Sequence, residues 1–597
     1  MIVAMAKTFI VARRADREAL LAALRGLGVL HVKPVDPARA APDAETADAL
    51  DRVGRAVQIL EATEADGQPP DVAVTDAADE VLRIQRDSAE RLNRLSALHR
   101  QIEHLTPWGD VRLEQFQALA HAGIQVRFYV VPRDAVRGVE AECVQVVGEW
   151  DRKRALVAVV DRTGERSMPE GAEEILLPLR DRPALRAEAK EIDQALKADS
   201  ARLRHLAALA PEMRKARAAL SEKARWTTAL GSALENDSLF ALQGWVPAEE
   251  ADGLARRLAD EGVHAAVEIV APAEDDEPPT LIRYPWWARP IKGLFDVLGT
   301  VPGYREFDVS AAFMIALPIF SAIMICDLGY GLVYTLLPIV FYRKLKAAGA
   351  GLIGKLVMVV GILAIVWGFL VASFFGYDVS PYLGRVPGIG PLYENGAPVT
   401  VSMGQEAMQW LMWLSILIGA IHLSVAYAWK AMAYFPHPRF LGMLGWGAFL
   451  WGVYGLVNTL VLKAPFFDVY LWLLVGGGGL ALLFAEAQRN ILKGVGLGLA
   501  NMPLTAIGMF GDTISYLRLM AIGLAGTALA IEFNNMASPM PWYGMVPVLV
   551  LGHALNVVLS ALSLLAHGVR LNMLEFSNNL GMTWSGYAYE PFSVKRT

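Results

Sequence analysis

Two arginines lie inside long apolar stretches near the end of this 597-residue chain, where a charged side chain has few roles. Arg518 lies in the middle of one stretch, and Arg570 lies in the next. A guanidinium at the centre of a bilayer costs about 2.5–3.5 kcal/mol on insertion scales. Arginine cannot escape that cost by losing its proton. Two permanent charges at such depth predict a partner anion or a water-filled path for an ion.

Polar side chains on the same two stretches are candidates to line that path. They are Asp512, Ser515, Glu532, His553, Asn556, Ser560, Ser563, His567 and Glu575. With the orientation derived below, Asp512 and Glu575 lie towards the cytoplasm, whereas Glu532 and His553 lie towards the outside. Two polar patches on opposite sides of an arginine pair predict two half-channels. Each histidine could instead only hydrogen-bond between helices, and Arg570 could reach the inner membrane interface.

Apolar runs of membrane length must position these residues. The predicted spans are about 309–325, 328–342, 353–376, 407–429, 441–462, 467–487, 505–532 and 543–576. The last span is about 50 Å long as a helix. Because the hydrocarbon core of a bilayer is about 30 Å thick, this span must tilt steeply or protrude.

Positive charges in the loops predict the orientation of the spans. If the first two runs form a hairpin, the outside loops carry only Arg385 and Lys463. The inside loops and tail then carry Arg343, Lys344, Lys346, Lys355, Lys430, Arg439, Arg489, Lys493, Lys595 and Arg596. This bias follows the positive-inside rule and places both termini in the cytoplasm. A single helix in place of the hairpin would invert every later loop.

Charge divides the chain into a soluble part and a membrane part. Residues 1–308 hold 41 Lys and Arg and 51 Asp and Glu, whereas residues 309–597 hold 14 and 10. We expect a cytoplasmic domain over 1–285, a linker into the membrane over 286–308 and a transmembrane domain over 309–597. The acidic soluble part argues against nucleic acid as a partner. The start of the chain lacks the pattern of a signal peptide.

Strand and helix patterns in the soluble part predict two α+β lobes. Strand–helix–strand units cover 7–12, 16–26 and 29–34 near the start, and 239–246, 249–261 and 263–270 near the end. Charged helical stretches cover about 45–59, 79–105 and 183–230, with strands at 125–131 and 156–160. Leucines near heptad spacing favour an antiparallel coiled coil. The predicted shape is a dumbbell of two lobes joined by this coiled coil.

Residues for catalysis or cofactor binding are not indicated anywhere in the sequence. Residues 349–355 resemble a phosphate-binding loop, but the Ser or Thr that should follow the lysine is missing. Cys143 and Cys326 form no metal-binding or disulfide motif. The patterns therefore predict a polytopic membrane domain of eight transmembrane helices, the last two long and tilted, behind a cytoplasmic α+β dumbbell, with no cofactor and no metal.

Several motifs resemble one family, in order along essentially the whole chain. The sequence Ser515-Tyr516-Leu517-Arg518-Leu519 resembles the seventh span of subunit a, also called subunit I, of prokaryotic V/A-type rotary ATPases. The segment from His567 to Phe576 resembles the last span of that subunit. Further similar motifs are Gly28-Val29-Leu30-His31-Val32, Gly244-Trp245-Val246-Pro247, Pro278-Pro279-Thr280 and Asp327-x-Gly329-Tyr330-Gly331.

The resemblance implies a mechanism and a set of partners. In the family, this subunit is the stator beside a rotating ring of proteolipids that carry membrane carboxylates. Arg518 would meet the ionised carboxylate of the ring, Arg570 would reinforce it, and H⁺ or Na⁺ would pass through two half-channels. The cytoplasmic lobes would bind two peripheral stalk heterodimers, and a central-stalk or ring-adaptor subunit would lie near the ring. ATP chemistry would lie on other subunits. The chain would reside in the cell membrane of a prokaryote.

The outer half-channel cannot be transferred directly from the family. Many eukaryotic members carry a histidine and a glutamate where this chain has Gly526 and Ser560, so Glu532, His553, Ser563 and His567 are substitute candidates. Two other classes of protein remain open. A stand-alone ion-coupled secondary transporter would use the polar spans as a substrate path, although no inverted repeat is evident. A membrane-anchored sensor would not need two arginines within the membrane.

Overall fold

The computed structural model describes all residues except 37–39, 161–166, 387–391, 393–398, 400–404, 487–490 and 594–597. Arg489, Lys595 and Arg596, which the predicted orientation uses, lie outside the described residues. The chain divides into two compact units. The first comprises Met1–Ile10, Leu27–His31 and Gly244–Pro591, and the second comprises Val11–Gly26, Val32–Gln243 and Phe592–Thr597. The predicted domain boundaries at 285 and 308 stay predictions.

The strands of the first half form two sheets. They are β1 (Met5–Arg13), β2 (His31–Lys33), β3 (Val126–Pro132), β4 (Cys143–Glu149), β5 (Arg154–Val160), β6 (Glu173–Ile175), β7 (Leu234–Glu235), β8 (Leu239–Pro247) and β9 (Ala266–Val270). One sheet has the order β2-β8-β1-β9, with β7 on β8, and the other has the order β4-β5-β3-β6. In the second sheet β3 pairs antiparallel with β5, with Val126 opposite Val160. The predicted strands are present, and the sequence patterns missed β4, β6 and β7.

Helices connect these strands. They are α1 (Arg17–Leu27), α2 (Ala44–Glu61), α3 (Val74–His104), α4 (Leu113–His121), α5 (Arg182–Ala207), α6 (Ala210–Gly231), α7 (Ala248–Ala251) and α8 (Leu254–Asp260). The charged stretch predicted over 183–230 is two helices. Pro211 lies in the first turn of α6, where the missing amide proton of proline costs nothing. The helix predicted over 249–261 is also interrupted, at Gly253.

The long charged helices pack antiparallel, as predicted. Glu80 of α3 pairs with Arg202 of α5 at 2.7 Å, and Arg94 pairs with Glu188 at 2.6 Å. Residue numbers therefore rise along α3 as they fall along α5, so the two helices run in opposite directions. Apolar residues of α2, α3, α5 and α6 share one core in this region, including Val57, Val81 and Leu206. Regular coiled-coil geometry and the dumbbell shape stay predictions.

The second half is almost entirely helical. Its helices are α9 (Ile291–Leu298), α10 (Ser310–Ile325), α11 (Leu328–Val340), α12 (Tyr342–Ala347), α13 (Gly351–Val371), α14 (Ser380–Leu383), α15 (Gln405–Tyr434), α16 (Arg439–Leu462), α17 (Asp468–Phe484), α18 (Ile491–Ser515), α19 (Leu517–Ala537), α20 (Trp542–Ser563) and α21 (Ser577–Leu580). Two π-helical segments, Leu564–Gly568 and Leu571–Phe576, lie between α20 and α21. A short hairpin joins β10 (Ser373–Phe374) to β11 (Tyr377–Asp378).

Five helical stretches among the described residues are long and apolar enough to cross a membrane. They are Gly351–Val371, Glu406–Tyr434, Arg439–Leu462, Lys493–Ala537 and Trp542–Leu580. The helices Ser310–Ile325, Leu328–Val340 and Asp468–Phe484 are apolar but shorter. The predicted polytopic membrane domain is thereby confirmed, whereas the count of eight spans and their orientation stay predictions. The last two long stretches are 45 and 39 residues in length, well beyond the thickness of a bilayer.

The first two apolar runs form two helices and not one. The α10 helix ends before Cys326, whose φ of 53° is left-handed, and α11 begins after Asp327. The α11 helix packs closely and antiparallel against α13. A Cβ on Gly331 would lie 2.6 Å from the amide nitrogen of Ile365, and a Cβ on Gly361 would lie 2.6 Å from that of Thr335. Glycine is needed at these positions because the two backbones nearly touch.

Candidate functional site

Both arginines lie beside interruptions of the α-helical backbone. Tyr516 separates α18 from α19, so Arg518 lies in the first turn of α19. Arg570 lies in the short gap between the two π-helical segments. Single π-helical turns within α-helices often occur at functional sites, because they redirect the side chains that follow them. The backbone therefore departs from a regular α-helix next to both candidate positions.

One buried carboxylate lies between the two arginines. The Oγ of Ser515 donates a hydrogen bond to Oε1 of Glu575 at 2.6 Å and accepts one from Nη2 of Arg518 at 2.7 Å. The same Oε1 lies 3.7 Å from Nη1 of Arg518 and 3.6 Å from Nε of Arg570. We call these four residues the arginine–carboxylate cluster. The structure thus brings together four of the residues that the sequence predicts for ion translocation.

Exposure differs sharply within the arginine–carboxylate cluster. The side chain of Glu575 is only 4% exposed and that of Arg518 is 21% exposed, whereas that of Arg570 is 53% exposed. Nη1 of Arg518 and Oε2 of Glu575 are buried and have no hydrogen-bond partner among the described residues. A buried charge without its full set of hydrogen bonds is costly. The ion pair between Arg518 and Glu575 therefore leaves one buried polar atom of each side chain without a hydrogen bond within the part of the chain that the structure describes.

A bridging amide links Asp512 to this cluster. Nδ2 of Asn579 donates to Oδ2 of Asp512 at 2.6 Å and to the carbonyl oxygen of Glu575 at 2.6 Å. Oδ1 of Asn579 accepts from the hydroxyl of Tyr427 at 2.6 Å. The sequence patterns missed both Asn579 and Tyr427. The sequence could have indicated Asn579 by its spacing, because a residue four positions after Glu575 lies close to it on a helix.

A second group of polar side chains forms around His553, which the sequence also predicts. Nδ2 of Asn556 donates to the hydroxyl oxygen of Tyr330 at 2.9 Å, and that hydroxyl lies 2.8 Å from Nδ1 of His553. Nε2 of His553 lies 3.2 Å from Oδ1 of Asn534, whose amide donates to the carbonyl oxygen of Phe375 at 2.8 Å. We call Tyr330, Asn534, His553 and Asn556 the tyrosine–histidine cluster.

The direction of these hydrogen bonds assigns the tautomer of His553. Because the amide nitrogen of Asn534 already donates to a carbonyl, its Oδ1 must accept from Nε2–H of His553. In a neutral imidazole Nδ1 then has a lone pair, which accepts from the hydroxyl of Tyr330. The network thus uses both ring nitrogens of His553.

Asp327 anchors the tyrosine–histidine cluster. Its buried carboxylate accepts hydrogen bonds from the backbone amides of Tyr330, Phe375 and Gly376, each at 3.0 Å. A fourth bond comes from Oγ of Ser373 at 2.7 Å. These bonds tie the start of α11 to the hairpin of β10 and β11. The motif around Asp327 therefore positions two groups that contact the His553 ring, since Tyr330 and Phe375 both pack against it.

Four predicted residues join neither cluster through a hydrogen bond or an ion pair among the described residues. They are Glu532, Ser560, Ser563 and His567. Glu532 is exposed and Ser560 is buried. Nδ1 of His567 is buried and has no hydrogen-bond partner in the described part of the chain. Their assignment to a half-channel stays a prediction.

Comparison with known proteins yields several relatives. No family model matches the chain. A V-type ATP synthase subunit I of Borreliella burgdorferi is 32% identical over 371 residues, which cover 59% of this chain and 59% of that protein. The V-type ATP synthase subunit I 1 of Treponema pallidum is 29% identical over 630 residues, which cover 99% of this chain and the whole of that protein. The chain is similar to subunit I of the V-type and A-type ATP synthases.

This result confirms the resemblance predicted from the motifs. An A-type ATP synthase subunit I of Methanocaldococcus jannaschii is a more distant relative, 27% identical over 401 residues that cover 61% of this chain and 56% of that protein. The solved cytoplasmic N-terminal domain of a subunit I from a V-ATPase also matches. That match covers 44% of this chain at 17% identity with a TM-score of 0.19, which is too low to carry an argument about the fold.

Proposed function

We propose that this chain is the stator subunit of a rotary ATPase and that ions pass along it between two half-channels beside a ring of proteolipids. The observation that carries the proposal is the position of Glu575 between Arg518 and Arg570 in a stretch of membrane length. An isolated arginine in lipid would only add cost. The side chain of Arg518 is 21% exposed, so its guanidinium can also meet a second carboxylate.

Arg518 is the residue that acts on the carboxylates of the ring. Two opposite charges about 4 Å apart attract by about 4 kcal/mol at an effective dielectric constant near 20. A nearby cation therefore favours the ionised carboxylate and promotes release of its bound ion. Glu575 keeps Arg518 compensated between two such encounters. Because arginine stays charged, it also repels ions that would leak directly from one half-channel to the other.

The two clusters supply the two half-channels. Asp512, Asn579 and Glu575 form a polar route next to the arginines, and we assign this route to the cytoplasmic side. The tyrosine–histidine cluster belongs to the outer side. Glu532, Ser560, Ser563 and His567 are further candidates to line these routes. The transported ion is H⁺ or Na⁺, since the ion-selecting carboxylate belongs to the ring.

The soluble part acts as a scaffold in this proposal. Its antiparallel helices are joined by ion pairs such as Glu80 with Arg202, and we assign to its lobes the binding of two peripheral stalk heterodimers. A central-stalk or ring-adaptor subunit lies near the ring, and other subunits make or hydrolyse ATP. The complex resides in the cell membrane of a prokaryote, with both termini of this chain in the cytoplasm.

Purification from the native membrane tests the proposal at the level of the assembly. A tagged copy of the chain is expected to bring down a proteolipid ring and stalk subunits in fixed ratio, with ATPase activity. The composition is read by mass spectrometry of the intact complex. A chain that purifies alone and still drives ion-coupled uptake of a solute in vesicles would contradict the stator role and support the secondary transporter.

A further inference from the structure

A buried histidine outside both clusters contacts the two backbone interruptions that carry the arginine–carboxylate cluster. Nδ1 of His422, on α15, lies 2.7 Å from the hydroxyl oxygen of Tyr516, the residue that separates α18 from α19. The ring of His422 also stacks on Phe576, with centroids 4.5 Å apart and planes 13° from parallel. Phe576 directly follows Glu575. One imidazole therefore touches the immediate neighbourhood of both Arg518 and Glu575.

The surroundings of His422 are apolar and closely packed. His422 is 8% exposed and Tyr516 is 0% exposed. Phe320 of α10 meets both rings edge-on, at centroid distances of 5.0 Å from His422 and 5.8 Å from Tyr516. A Cβ on Gly419, one turn before His422, would lie 2.6 Å from Cδ2 of Tyr516. The tyrosine is thus pressed against α15 and has little freedom to move.

The hydrogen bond between these two rings has a cost if it is broken. A polar group in apolar surroundings is destabilising when its hydrogen bond is missing. Nε2 of His422 already lacks a partner among the described residues, so the hydrogen bond between Nδ1 and the hydroxyl of Tyr516 is the polar contact that the structure gives this ring. A helix whose backbone ladder is interrupted depends on such side-chain contacts to fix its local geometry. The contact therefore restrains the turn from which Arg518 projects.

We propose that His422 is a positioning residue that sets the separation of Arg518 and Glu575. It holds the α18–α19 interruption through Tyr516 and the π-helical segment through Phe576, so that the 3.7 Å approach of Nη1 to Oε1 is maintained. Misplacing groups by about 1 Å near a reacting centre can lower rates about a hundredfold. The inference rests on the proposed function, because it assigns His422 a role in ion transport.

A mutant cycle isolates the hydrogen bond. His422→Phe keeps a ring that can stack on Phe576 and removes the bond, whereas Tyr516→Phe removes the same bond from the other side. Each variant of the whole complex is expected to lower ATP-driven ion uptake roughly fivefold, which corresponds to the net loss of one hydrogen bond. The double variant is expected to be no slower than the single variants, because all three lack the same contact.

Ser424→Ala on the same helix is the matched control. Its Oγ donates to the carbonyl oxygen of Ala420 in its own helix, at 2.6 Å, and to no other group among the described residues, so uptake should stay at the wild-type rate. A second comparison covers the case in which His422→Phe fails to assemble. His422→Asn retains an acceptor near the position of Nδ1 and should transport faster than His422→Leu.

The outcomes separate this inference from the proposed function. Wild-type uptake in His422→Phe and Tyr516→Phe, together with loss of uptake in Arg518→Ala, would overturn the positioning role and leave the stator role intact. Losses that add up in the double variant, or equal rates in His422→Asn and His422→Leu, would also overturn it. Retained uptake in Arg518→Ala would instead overturn the proposed function.

Discussion

Vesicles that contain the Arg518→Ala complex are expected to take up no ions when ATP is supplied, although the complex still assembles. Without the guanidinium, no fixed cation favours the ionised ring carboxylate at the point where its ion must leave. Glu575 also loses the cation 3.7 Å away. ATP-driven uptake in reconstituted vesicles, normalised to the amount of assembled complex, measures this effect.

Two further arginine variants are compared with Arg518→Ala. Arg385→Ala changes an exposed arginine far along the chain from the cluster and should leave uptake unchanged. Arg570→Ala should have a milder effect than Arg518→Ala, since the Arg518 side chain, at 21% exposed, is more deeply buried beside Glu575 than that of Arg570, at 53%. If Arg518→Ala retains most of the uptake of the wild-type complex, the role assigned to this residue is wrong.

Replacing Glu575 by glutamine is expected to lower ATP-driven uptake at least about tenfold and to destabilise the membrane domain. The neutral amide cannot compensate Arg518, which would remain partly buried without the anion beside it. Removing one partner of a buried ion pair typically costs about 3–5 kcal/mol. Thermal unfolding of the purified complex and uptake in vesicles report the two effects separately.

The control for this change is a carboxylate on the same half of the chain that lies at the surface. Glu406 is exposed near the start of α15, and Glu406→Gln should change neither the unfolding temperature nor the rate of uptake. A Glu575→Gln complex that transports and unfolds like the wild type would show that the carboxylate does not serve the arginines.

Sequence patterns predicted the participants of the arginine–carboxylate cluster better than their arrangement. Ser515 and Arg518 are three residues apart, so a regular helix already places them on one face. Arg570 and Glu575 are five residues apart, which on a regular α-helix turns them about 140° away from each other. The π-helical segment Leu571–Phe576 changes this angle, so that Nε of Arg570 lies 3.6 Å from Oε1 of Glu575. The 3.6-residue period of apolar residues, from which the helices were predicted, does not indicate this π-helical segment.

Contacts between distant helices were beyond the reach of the sequence patterns. His422 and Tyr427 lie on α15, about a hundred residues or more before their partners Tyr516 and Asn579. A lone histidine in an apolar run gives no indication of its partner. The split of the predicted 183–230 helix was within reach, because Pro211 marks the start of α6. The edge strand β4 was missed, since most of its residues are exposed and its alternation is weak.

Cross-linking to the ring tests the central claim most directly. Leu574 lies one turn after Arg570 and is 48% exposed. We assign the exposed side of this segment, beside the two arginines, to the ring, so a Leu574→Cys chain should present its thiol there. The exposed Cys143 is first changed to serine, and a cysteine is placed beside the carboxylate of the proteolipid. Leu444→Cys, at an exposed position on α16, is the matched control.

The account predicts that oxidation links Leu574→Cys to the ring and stops ATP-driven uptake, that a reductant restores uptake, and that Leu444→Cys forms no such link. A link from Leu444→Cys and none from Leu574→Cys would contradict it, because the ring would then face another side of the membrane domain.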